Sequence, residues 1–82
     1  MNDTFFEELP AVGVTLGPLN LHGTDYTVRG VEDGFWVIDG PAGIQTEIRT
    51  TDDGTLSMMR TDGKTQQHGE GDSWEEIVAQ YF

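Results

Sequence analysis

Acidic side chains stand next to glycine at four places in this chain, Asp33-Gly34, Asp39-Gly40, Asp53-Gly54 and Asp62-Gly63. Carboxylates on glycine-bearing loops are the material of a calcium site, in which alternate side chains of one loop converge on the ion. The densest stretch, TDDGTLSMMRTDG over residues 51–63, has neither the D-x-[DN]-x-[DN]-G spacing nor the closing glutamate of such a loop. Asp-Gly is instead the dipeptide that hairpin turns require. His22 and His68 are isolated, with no cysteine anywhere in the chain. Zinc takes three or four ligands of those types, so a metal is not expected. Adjacent carboxylates at Glu7-Glu8, Asp52-Asp53 and Glu75-Glu76 could serve acid–base chemistry, but neighbours on a helix or turn point into water. No nucleophile elbow, phosphate loop or dinucleotide fingerprint occurs. The expectation is a protein without cofactor or catalytic activity.

The elements that carry these residues follow from periodicity. Ser73 and Glu76 have capping-box spacing, and Trp74, Ile77, Val78 and Tyr81 then form one apolar stripe of a C-terminal helix. Asn2–Leu9 reads as a short N-terminal helix, with Thr4 and Glu7 at capping-box spacing and Pro10 as its stop. Between them run alternating segments. These are Val12 to Leu16, Leu19 to Leu21, Asp25–Val31, Phe35–Ile38, Ile44–Thr50 and Thr55–Thr61, with Thr65–His68 as a frayed edge.

Burial selects the register. A three-residue loop at Asp52-Asp53-Gly54 sets 48 against 58 and 50 against 56, which gathers Ile44, Ile48, Leu56 and Met58 on one face. A slip of one residue would put Leu56 and Met58 beside Glu47 and Arg49. The same loop length at Glu32-Asp33-Gly34 collects Tyr26, Val28, Trp36 and Ile38, with Gly30 opposite Trp36 to make room for the indole. Met58 then faces inward, while Met59, Phe35 and Val37 face outward. The expected fold is α+β: an antiparallel meander of about five strands in a single domain over 1–82, the C-terminal helix packed on one face and the short N-terminal helix beside it.

Charge is the unusual property. Fifteen acids face four bases, Arg29, Arg49, Arg60 and Lys64, for a net charge of −11 over 82 residues. Ten of the acids have a local structural reason, as Asp-Gly turns, helix caps or first-turn residues. Local structure thus explains where the acids sit and leaves the shortage of bases unexplained. Such a chain repels nucleic acid and anionic membranes and attracts basic surfaces. Its acidic N-terminus lacks the basic region of a signal peptide, no apolar run has the length of a membrane span, and the lack of cysteine fits a cytoplasmic protein.

A meander places alternate turns at one end of the sheet, so Glu32, Asp33, Asp52 and Asp53 should be neighbours. Glu70, Asp72, Glu75 and Glu76 should form a second acidic surface on the helix. In size, acidity and α+β form the chain is similar to the class of phage-encoded DNA-mimic proteins, which includes anti-CRISPR and anti-restriction inhibitors; the similarity is one of type. It implies a partner protein with a basic, nucleic-acid-binding surface, contacted by those eight residues, and no direct binding of nucleic acid. Two other readings fit the composition: a generic protein–protein module such as a phage structural component, and a small domain adapted to high salt.

Overall fold

The protein, seen in a computed structural model, is described over residues 9–21 and 23–81. Six strands form one antiparallel sheet: β1 (Thr15–Leu21), β2 (Thr24–Glu32), β3 (Phe35–Asp39), β4 (Gln45–Thr50), β5 (Leu56–Asp62) and β6 (Thr65–Gly71). Their order across the sheet is their order along the chain. A 3-10 turn at Pro41–Gly43 joins β3 to β4, and among the described residues one α-helix, α1 (Trp74–Tyr81), follows β6. The body measures 33 × 30 × 23 Å.

The burial argument for register holds at both turns. Ile48 pairs with Met58 and Thr50 with Leu56 across the Asp52-Asp53-Gly54 loop, where Gly54 has φ of 84°. Thr51 N–H donates to the Thr55 carbonyl at 2.9 Å to close that loop. Val28 pairs with Ile38 and Gly30 with Trp36. The turn between them closes tighter than expected: Glu32 pairs directly with Phe35, and a bulge at Val31 absorbs the extra residue.

One face of the sheet therefore carries the core. Tyr26, Val28, Ile38, Ile48 and Met58 are buried there, together with Trp74 and Ile77 of α1. The helix starts at Ser73, whose Oγ accepts from Glu76 N–H at 3.2 Å, and runs down β6 and β5. Glycine permits this approach. A Cβ on Gly69 would overlap the Tyr81 ring, and one on Gly71 would lie 3.1 Å from Ile77. Arg60 Nη1 fastens the far end by donating to the Tyr81 carbonyl at 2.9 Å.

The other part of that face is covered by the segment before β1, which turns at Ala11–Val14, where Val14 N–H donates to the Ala11 carbonyl at 3.0 Å. Trp36 Nε1 donates to the Pro10 carbonyl at 2.7 Å, and Leu9 packs against the core. Gly13 N–H donates to the Gly30 carbonyl at 2.9 Å, and Gly30 N–H to that of Val14 at 3.0 Å. Gly30 thus has a different purpose from the one expected: its missing Cβ makes room for the backbone of Ala11, which a side chain there would strike.

Two further expectations change, and a third falls outside the described residues. The N-terminal helix, read over Asn2–Leu9, lies outside the described residues apart from Leu9. The frayed edge at Thr65–His68 is a full strand, so the sheet has six strands rather than about five. Val12 and Val14 are exposed and precede β1 instead of belonging to an alternating strand, because the Gly30 crossing turns the chain there.

Candidate functional site

Strand direction decides where the acids go. β2, β4 and β6 run toward one end of the sheet, which therefore holds the β2–β3 turn, the β4–β5 turn, the end of β6 and the start of α1. Glu32 and Asp33 belong to the first, Asp52 and Asp53 to the second, Glu70 and Asp72 to the third, and Glu75 and Glu76 to the fourth. All eight are exposed. The two acidic surfaces expected from the sequence are thus one. From β2 to β6 the strand spacing gives that end a width of ~19 Å.

The bases are elsewhere or engaged. Arg29 Nε donates to Asp39 Oδ2 at 3.0 Å, and Gln45 Nε2 to Asp39 Oδ1 at 3.2 Å. Asp39 is therefore more than a turn residue; it anchors the outer face across three strands. Arg60 lies on the core face against α1, and Lys64 occupies the β5–β6 turn at the opposite end. Arg49 is the one base near the acidic end. Its guanidinium sits over the Phe35 ring at 4.0 Å and 3.6 Å from Glu47 Oε1.

The outer face of the sheet adds a feature that sequence reasoning missed. A shallow open groove of about 560 Å³ runs over β4, β5 and β6, lined by Glu47, Arg49, Met59, His68 and Glu70 among others. The register builds it: Glu47 pairs with Met59 and Met59 with His68, while Arg49 pairs with Ser57 and Ser57 with Glu70. The signal was present in Gly63-Lys64, a two-residue turn that sets β6 against β5; reading Thr65–His68 as frayed concealed it. Val37, expected on this face as an exposed apolar contact, is only 7% exposed, covered by flanking strands, whereas Met59 and Phe35 are half-buried. Among the described residues no group of three His, Cys, Asp or Glu side chains is placed to hold a metal ion. No described helix is long and apolar enough to cross a membrane.

Comparison with protein families, with curated proteins and with solved structures returned no match. The functional reading therefore rests on this charge distribution and on the sheet that presents it.

Proposed function

We propose that the protein is a small acidic binding protein that inhibits a nucleic-acid-binding partner by occupying its basic surface, in the manner of a DNA mimic. The observation that supports this is the gathering of Glu32, Asp33, Asp52, Asp53, Glu70, Asp72, Glu75 and Glu76 at one end of the sheet. Duplex DNA carries a charge per ~1.7 Å of axis, hence ~11 over ~19 Å. Eight carboxylates over that width reach about seven-tenths of the DNA density. Like charges held this close repel, a cost that a basic partner would turn into attraction. Half-buried Met59, on the outer face below the acidic rim, is suited to be an apolar anchor. The role needs no chemistry beyond occlusion, and we assign no catalytic residue.

The test is capture of partner proteins from a host lysate at about 50 mM and about 500 mM salt, followed by elution with duplex DNA. The proposal expects capture that is lost at high salt and competed by DNA. It also expects weakened capture when Asp52 and Asp53 become Asn. Salt-independent capture that DNA leaves intact rejects it.

Adaptation to high salt is favoured by a separate observation. Acids also occupy the opposite end, at Asp25, Asp39 and Asp62, while the whole chain has four bases. Thermal melts divide the two readings. A fold that requires molar KCl supports adaptation; a cooperative fold in dilute buffer supports the binding role.

A further inference from the structure

The two edges of the sheet are built differently. β1 is spoiled as a template: its register shifts between Leu16 and Leu19, and Pro18 offers no N–H. A bulge and a proline are devices by which proteins keep a further strand off an edge. β6 has neither. Its seven residues pair one for one with β5 from Asp62↔Thr65 to Leu56↔Gly71, without a shift and without proline or lysine.

The turn before β6 fixes which backbone groups are open. Gly63 has φ of 63° at the first central position of the two-residue Gly63-Lys64 loop, the arrangement that makes Asp62 and Thr65 a hydrogen-bonded pair. Alternation along an antiparallel strand then turns the N–H and C=O of Gln66, His68 and Glu70 away from β5. No described strand or turn takes up those groups. Charge indicates the occupant. Asp62, Glu70 and Asp72 flank this edge; of the bases, Lys64 precedes it and Arg60 lies one strand in, on the core face against α1. A second copy would bring another net charge of −11 to the same place, so a cationic chain is favoured. On the outer face the groove offers Met59 to an aliphatic stem and Glu70 to its charged head. Arg49 on the groove's other wall is held over Phe35.

We propose that β6 is a strand-addition site for an extended lysine- or arginine-rich segment of the partner protein. The segment bonds to the open backbone groups of Gln66, His68 and Glu70 and lays its cations beside Glu70 and Asp72. The basic character of that partner rests on the function proposed above; the strand geometry does not.

The test uses the full chain and a blocked peptide of alternating lysine and threonine at low ionic strength. Its twin is the same peptide fully N-methylated, with equal charge and no N–H donors. Amide hydrogen exchange at Gln66, His68 and Glu70 slows at least tenfold with the first peptide and not with its twin. His68→Pro, which removes an N–H the β5–β6 ladder does not use, weakens binding at least tenfold with the melting temperature retained. Glu70→Lys weakens it with the edge intact. Equal binding of both peptides with unchanged exchange overturns strand addition and leaves the acidic-end reading standing. Failure of both peptides to bind overturns strand addition also, and the salt-sensitive capture experiment then decides the acidic-end reading separately. Slowed exchange that appears without peptide as protein concentration rises assigns the edge to a second copy and overturns the proposal.

Discussion

Replacing Asp52 and Asp53 together by asparagine separates the charge of the acidic end from its shape. Asparagine suits the same turn. The turn's own contacts, the Thr51 and Thr55 hydroxyls at 2.7 Å and Asp53 N–H donating to Thr51 Oγ1 at 3.3 Å, use no carboxylate. Each removed charge faces Glu32 and Asp33 two strands away, and Glu70 and Asp72 on the other flank, at about 10 Å by strand spacing. Unit charges at about 10 Å in water repel by about 0.4 kcal/mol. Screening leaves about 0.3 kcal/mol of that at 0.01 M ionic strength and about 0.1 kcal/mol at 0.15 M. Over these neighbours the native state is relieved of about 2 kcal/mol in dilute buffer and about 1 kcal/mol at 0.15 M. The unfolded chain carries the same charges farther apart, so about half survives as net stabilisation. For a domain of this size the double variant then melts about 6 °C above the parent in dilute buffer and about 3 °C above it at 0.15 M, with no difference at 1 M. Asp39→Asn is the control: it loses the ion pair with Arg29 and keeps only one oxygen for the two donors Arg29 and Gln45 at the opposite end, and it melts no higher than the parent. Identical melts of the double variant and parent in dilute buffer, or a shift that ignores salt, would refute the clustering of charge at that end.

Other consequences concern the core. Ile77→Ala empties a fully buried position and lowers stability by about 3 kcal/mol in urea unfolding. Gly69→Ala pushes the Tyr81 ring off the sheet; a double-mutant cycle with Tyr81→Ala measures the clash as a coupling of about 1 kcal/mol or more. Thr46→Val stabilises the fold by about 1 kcal/mol, read from the same unfolding curves. The Thr46 residue is 1% exposed, and among the described residues its hydroxyl makes no side-chain hydrogen bond, so valine removes a desolvated polar group without opening a cavity.

Much of this architecture was legible because few registers satisfy burial. Ile48 with Met58 and Val28 with Ile38 could be placed from the sequence, since any slip would turn Glu47 or Arg29 into the core. The stripe of α1 was legible for the same reason. What stayed hidden involves contacts without periodicity. Nothing in the run TQQHGEG alternates in hydrophobicity, so β6 had no pattern to announce it; only its turn chemistry did. The crossing of Pro10–Val14 over Gly30 depends on hydrogen bonds between distant backbone groups, which leave no local signal. The single acidic end was missed because it requires β6 to return upward; once that strand is granted, Glu70 and Asp72 must join Asp52 and Asp53.

The strict succession of the strands also governs how the chain finds its shape. Every sheet pairing joins consecutive segments across a short connection, so each hairpin can close with little loss of loop entropy before the next begins. Rapid assembly by successive hairpins is expected for most of the molecule. The bond from Trp36 to Pro10 spans 26 positions along the chain and stands apart from that order. Its donor lies on β3, so that bond closes only once β3 is in place, whereas the bonds of Gly13 and Val14 to Gly30 need β2 alone. The segment that precedes β1 is, in this topology, held by the contact of longest range and is expected among the last to settle.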